Sequence, residues 1–118
     1  MRDVGDHRRV SDARSHVELQ IDDVRNSQWT EATVTVRNLG NPVRRGARFH
    51  RASDSADLID LELTRIVWYQ RTVDEIPAGH TALVTLRGSG ARVLRPGTMA
   101  DGWQRIEGHN GPSLGAAG

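Results

Sequence analysis

The stretch LIDLELTRIVWY, residues 58–69, alternates apolar and polar side chains with one slip of phase. Leu61 and Leu63 share one parity and Ile66 and Trp68 the other, so the change falls at Thr64-Arg65. Period two sends alternate residues to opposite faces of a strand, and a slip inside such a strand asks for a β-bulge or bend. Small closed barrels use such devices at their corners. Ser53–Leu63 also reads as a helix capped by Asp54, but Leu58, Ile59, Leu61 and Leu63 fit a strand entry and the strand is preferred.

The same period recurs on both sides. Val17, Leu19 and Ile21 alternate with Glu18 and Gln20, and Ala32, Val34 and Val36 alternate with Thr33, Thr35 and Arg37. Further strands are predicted at Ala47–Arg51, at Thr81–Arg87 and, to close the set, near Thr98–Asp101. Turn chemistry separates them at short intervals: Asn38-Leu39-Gly40-Asn41-Pro42, Arg45-Gly46, Pro77-Ala78-Gly79, Gly88-Ser89-Gly90 and Pro96-Gly97. Short strands between regular turns predict an all-β domain, a small six-stranded antiparallel β-barrel. The charged, aperiodic residues 1–15 and the small, polar residues 107–118 read as flexible tails around a barrel over 16–106.

Composition narrows the chemistry. A chain of 118 residues is one domain by length, and the absence of cysteine removes disulfides, thiolate metal sites and cysteine nucleophiles. No signal peptide is read at the N-terminus and no apolar run reaches the ~20 residues that span a bilayer, so a cytoplasmic protein without membrane contact is expected. All 16 basic residues are arginine, and the net charge is only +1. Uniform arginine use fits GC-rich coding better than selection for bidentate donors.

Two arginine groups stand out as candidate contacts for a nucleic acid or a partner. Arg44, Arg45, Arg48 and Arg51 fall within eight residues and lack an acid among them. Arg87, Arg92 and Arg95 flank the Gly88–Gly90 loop in a segment with no acid between residues 76 and 100, with Trp68 and Trp103 as possible stacking surfaces. Against this stand ion pairing of the first group with Asp54, Asp57, Asp60 and Glu62, and ordinary packing of the tryptophans. The acidic run lacks the spacing of a calcium loop. The five histidines have no paired ligand spacing, so a metal site would need three-dimensional coincidence. Ser89 does not sit in a nucleophile elbow. No catalytic residue, metal or cofactor is expected.

Several segments carry a family resemblance. Val43-Arg44-Arg45-Gly46 leads into Ala47–Arg51. Thr64–Gln70 is followed by Asp74-Glu75, Ala78-Gly79 and a strand ending Leu86-Arg87-Gly88, and Val93–Ala100 contains an Arg-Pro-Gly step. Together they resemble domain II of translational GTPases of the elongation factor Tu type, a six-stranded antiparallel barrel. The resemblance implies a domain that docks on neighbours and helps hold the aminoacyl end of tRNA. The family uses for this a glutamate in the strand matching Thr64–Tyr69 and an asparagine after the Ala-Gly turn, where this chain has Val67 and Thr81. Aminoacyl-tRNA delivery is therefore not expected. Without GxxxxGK or any lysine, neither is nucleotide binding. The expected role is that of a non-catalytic, stand-alone docking module for an unknown protein partner or a second copy, with RNA binding through the arginines as the alternative.

Overall fold

A computed structural model of the chain describes residues 16–56, 58–100 and 102–111. The expected N-terminal tail, 1–15, lies outside the described residues. Nine strands follow in order: β1 (His16–Ser27), β2 (Glu31–Asn38), β3 (Val43–Arg44), β4 (Arg48–Ala52), β5 (Asp60–Trp68), β6 (Arg71–Val73), β7 (Glu75–Ile76), β8 (Thr81–Ser89) and β9 (Arg105–His109). The one helical element among the described residues is a 3-10 turn, Ala91–Val93; of Ser53–Leu63 only Asp60–Leu63 is strand, the start of β5, and the described residues before it form the β4–β5 connection.

Six strands form a ring in the order β4-β9-β1-β2-β8-β5, closed by Arg48↔Glu62 and Phe49↔Leu61 between β4 and β5. Every pairing is antiparallel. Closure leaves no free edge within the ring. β6 folds back on the far end of β5 as a hairpin, and β3 and β7 form a two-residue ladder, Val43↔Ile76 and Arg44↔Glu75. Both members of the first pair are buried, so this small ladder contributes to the same core.

The alternation read from the sequence is the alternation that fills the interior. Val17, Leu19 and Ile21 of β1 point inward, as do Ala32, Val34 and Val36 of β2, Leu61, Leu63 and Ile66 of β5, and Ala82, Val84 and Leu86 of β8. The phase slip in β5 is a register shift between Leu63 and Arg65 against β8. Thr64 is the extra residue, and its hydroxyl donates to the Thr85 carbonyl at 3.3 Å. The bulge thus re-aims Ile66 into the core while sending Arg65 and Val67 outward.

Phe49 is the only aromatic in the core among the described residues; Trp29, Trp68, Tyr69 and Trp103 all remain substantially exposed. Of the core or rim packing expected of Trp68 and Trp103, the structure shows the rim: Trp103 packs on Gly97, and Trp68 lies against Tyr69 and His80. The interior volume is filled by aliphatic side chains, and the indoles stand outside.

The closing strand also differs from expectation. Thr98 and Gly102 make only an isolated bridge around a tight turn, and the barrel closes through Arg105–His109. Glu107, Gly108 and His109 thus belong to a strand, within the segment read as tail. Gly108 explains both the geometry and the missed signal. It faces inward where β9 crosses β4, and a Cβ there would lie 1.8 Å from the Arg48 carbonyl oxygen. Gly88 plays the matching part on β8, with φ at 140° and no room for a Cβ beside the Asp60 carbonyl.

Candidate functional site

The outer faces of β2, β8 and β5 meet in a shallow groove of about 660 Å³. Its floor is a cross-strand row, Thr35↔Leu83↔Val67, set by the register of the three strands. One wall is the tip of the β5–β6 hairpin, where Trp68 pairs with Arg71 around the two-residue turn Tyr69-Gln70. Both turn residues have left-handed backbone, φ 50° and 66°. Turns of this hand match strand twist but favour Asn-Gly, and a bulky residue there carries about 1–3 kcal/mol of strain. The strained turn holds Tyr69, 80% exposed, edge-on to Trp68 with ring centroids 4.6 Å apart.

The facing wall is the Pro77–His80 turn. His80 lies 5.7 Å from Trp68, ring to ring, so the two walls touch at the groove's end. This turn is held by Asn38, a buried side chain at the end of β2. Its Nδ2 donates to the carbonyls of Asn41 (2.9 Å) and Ile76 (2.8 Å), and its Oδ1 accepts from the Gly40 N–H (3.0 Å). Its backbone N–H donates to the His80 carbonyl, and its carbonyl accepts from the Gly79 N–H, both at 2.9 Å. In the sequence Asn38 reads as one more turn residue; nothing there tells that its amide fixes a second loop 40 positions downstream.

Charge divides the surface. Away from the groove, several arginines are matched with carboxylates: Arg45 with Asp74 (3.3 Å), Arg48 with Asp60 (2.9 Å) and Glu62 (3.7 Å), Arg87 with Glu31 (3.4 Å), and Arg105 with Glu18 (3.6 Å). Arg48, Glu62, Arg87 and Glu31 lie side by side on β4, β5, β8 and β2, an alternating row of charge across four strands. Around the groove the balance changes. Arg65 shares the outer face of β5 with Val67, Arg71 lies opposite Trp68, and Arg37 lies opposite Thr81. None of these three has a carboxylate within salt-bridge distance among the described residues.

The two arginine groups singled out in the sequence thus do not make a common basic face. Arg48 and Arg87 are both neighbours of Glu62. Arg44 is exposed, its backbone N–H donating to the Asn110 side chain at 2.8 Å, and Arg51 is exposed on β4 opposite Glu107. Arg92 stacks over Trp29, 4.1 Å from the ring centroid, a contact the sequence reading does not anticipate. Arg95 reaches Asp54 at 2.5 Å in a clasp with buried Gln104, whose Nε2 donates to the other Asp54 oxygen at 2.7 Å. Burial pushes the Asp54 carboxyl up, but the hydrogen bonds from Gln104 and Arg95 and the Arg95 charge outweigh it and leave the group below its ordinary value. Trp103 lines the recess beside this clasp and packs on Gly97, whereas Trp68 belongs to the groove.

Three of the scattered histidines do converge. His109 lies 5.9 Å from His16 and 6.0 Å from His50, ring to ring, and Glu107 approaches His16 at 3.4 Å. No group of three or more such side chains among the described residues is arranged to hold a metal ion. Nor is any described helix long and apolar enough to cross a membrane.

No protein-family model matches this sequence, and no curated protein matches it significantly. Solved structures do. Translation elongation factor SelB from Methanococcus maripaludis superposes on 83% of the chain with a TM-score of 0.61 in its apo form. In complex with the GTP analogue GPPNHP it gives a TM-score of 0.62; both are 15% identical in sequence. The chain spans 20% of the length of the structures it matches. What is shared is the fold, the domain II type of β-barrel found in translation factors. On that barrel, Val67 and Thr81, the positions where the elongation factor Tu type carries its glutamate and asparagine, both line the groove.

Proposed function

We propose that this barrel is a non-catalytic interaction module that docks a protein partner in the groove between the β5–β6 hairpin and the Pro77–His80 turn. One observation carries the reading: an exposed Trp68-Tyr69 pair is held at the groove by a strained turn, over a floor of Val67 and Leu83. Strain of this kind persists where the surrounding structure enforces it, and it concentrates at ligand clamps. Aromatic side chains beside a concave apolar floor are the usual anchors of protein contacts.

The replacement of the family's glutamate and asparagine by Val67 and Thr81 removes the polar grip on an aminoacyl end and leaves an apolar surface in its place. Carboxylates that acid–base chemistry would require are engaged elsewhere, Asp60 and Glu62 with Arg48 and Asp54 with Arg95. The fold likeness supports a partner within the translation apparatus, and hence action in the cytoplasm. RNA binding through Arg44, Arg45, Arg48, Arg51, Arg87, Arg92 and Arg95 has less support, since four of the seven have a carboxylate partner and Arg92 is stacked on Trp29, which leaves Arg44 and Arg51.

Site-specific photo-crosslinking tests this reading. A benzophenone side chain in place of Tyr69 is expected to give discrete protein adducts in cells, and the same group in place of exposed Arg105, across the barrel, is expected to give none in common. Adducts sensitive to ribonuclease, or identical patterns from both positions, would refute docking of a protein in the groove.

A further inference from the structure

We infer that the groove is built for an acidic segment, a stretch of partner chain in which aspartate or glutamate flanks an aromatic or large aliphatic side chain. This deepens the docking reading and rests on it. Six of the described arginines sit against carboxylates of the same chain: Arg25, Arg45, Arg48, Arg87, Arg95 and Arg105. Arg37, Arg44, Arg51, Arg65, Arg71 and Arg92 have no such partner among the described residues; Arg92 is stacked on Trp29, Arg44 and Arg51 lie elsewhere, and Arg37, Arg65 and Arg71 border the groove from three different strands. Three of the six described arginines without a carboxylate partner therefore border one groove, in a chain whose net charge is only +1.

The carboxylate nearest the floor does not reverse this. Asp23 lies opposite Thr35 on β1, but Arg25 engages it at 3.3 Å. Asp22, its neighbour, accepts from Gln20 at 2.8 Å. Glu75 is held on the small ladder opposite Arg44. The groove itself is lined without any acidic side chain.

Guanidinium groups prefer planar anions that accept two parallel hydrogen bonds, which carboxylates supply. The exposed Trp68 and Tyr69 rings, with Val67 and Leu83 below, supply the apolar contact that an arginine rim alone lacks. The floor suits a short segment: β5 and β8 are hydrogen-bonded neighbours, about 4.8 Å apart, so Val67 and Leu83 form one apolar strip, with Arg65 two residues before Val67 on the same outer face. Rim charges of this kind set partner choice and association rate, while the aromatic anchors set residence time.

Fluorescence polarisation on the full chain tests the inference with three labelled probes. These are an eight-residue peptide alternating aspartate with phenylalanine, the same peptide with lysine for aspartate, and an octamer of single-stranded uridylate RNA. The acidic peptide is expected to bind with Kd in the range of tens of micromolar and to weaken as salt rises. R37E combined with R71E is expected to weaken it at least tenfold, and Trp68→Ala at least fivefold. A control, Arg105→Glu, is expected to change binding less than twofold. Thermal melts of each variant separate lost binding from lost folding, and R65E alone provides a second route if the double variant does not fold.

Equal binding of the lysine peptide, RNA binding that W68A abolishes, or no acidic-peptide binding at millimolar concentration would each overturn the inference. If these outcomes arise while position 69 still crosslinks proteins specifically, docking stands and the acidic preference alone falls. If crosslinking fails too, both fall.

Discussion

Replacing Asn38 with alanine removes the side-chain part of the support on which one wall of the groove rests and keeps its two backbone bonds to Gly79 and His80. Three side-chain hydrogen bonds disappear, at 2.9, 2.8 and 3.0 Å, and the Ile76 carbonyl loses a buried donor. Each neutral hydrogen bond contributes a net ~1 kcal/mol, and a buried group left unsatisfied costs about 1–3 kcal/mol. The removed bonds and the orphaned carbonyl are the same events counted from two sides, so a total of about 3 kcal/mol is expected. For a domain of this size that lowers Tm by roughly 12–15 °C, at about 4–5 °C per kcal/mol. Thermal and urea unfolding followed by circular dichroism measure it, and amide shifts of Gly79 and His80 should move more than those of β1 and β9. Asn38→Asp sharpens the test: an ionised carboxylate accepts from Gly40 but repels the two carbonyls, so its folded-state pKa is raised. Its penalty is full above that raised value and fades as pH falls toward the ordinary aspartate value of about 4, where the protonated acid again donates. A Tm loss below about 4 °C for the alanine variant, on the same scale, would show that the 76–80 turn does not depend on the Asn38 side chain.

Other variants probe the barrel, the clasp and the strained turn. Asp54 has a lowered pKa, so the stability it contributes is complete above the ordinary aspartate value of about 4 and is lost as pH falls through its folded value. Asp54→Ala is therefore expected to be less stable at neutral pH and to lose less on acidification than the parent, as read from melts between pH 6 and 2. Gly108→Ala forces a Cβ into the Arg48 carbonyl, and a loss of about 3 kcal/mol or more is expected in denaturant titrations. Phe49→Ala empties the core of its one described aromatic and should cost about 3–5 kcal/mol. Substituting Asn-Gly for Tyr69-Gln70 relieves two left-handed residues and is expected to raise stability by about 1–2 kcal/mol while removing the acidic-peptide signal. A variant that is both more stable and fully competent to bind would argue against strain kept for function.

How far the site could be read in advance depends on which physical signal each part leaves in the chain. The arginines were visible, but their meaning was not. Arg48 and Arg87 lie 39 positions apart and become neighbours of Glu62 only through the β4–β5 and β8–β5 registers. Few aromatics in a small protein leave core and rim both open to an indole, and closure decided for the rim, because aliphatic side chains and Phe49 fill the interior. Val67 and Thr81 were noted for what they lack relative to a family pattern; that they line one groove with Trp68, Tyr69 and His80 came from three strands and two turns meeting.

The sequence alone determined that the chain builds strands, where most begin, and that β5 needs a bulge at Thr64-Arg65. Each of these depends on local alternation and turn chemistry, which a short window contains. Only the tertiary structure decided that Arg105–His109 closes the ring, because its inward positions are Ile106 and Gly108, and a glycine chosen for close approach to a neighbouring backbone leaves no apolar period to read. It also decided which arginines are neutralised and which are not, since pairing across strands depends on register, and register emerges only when the whole barrel shuts.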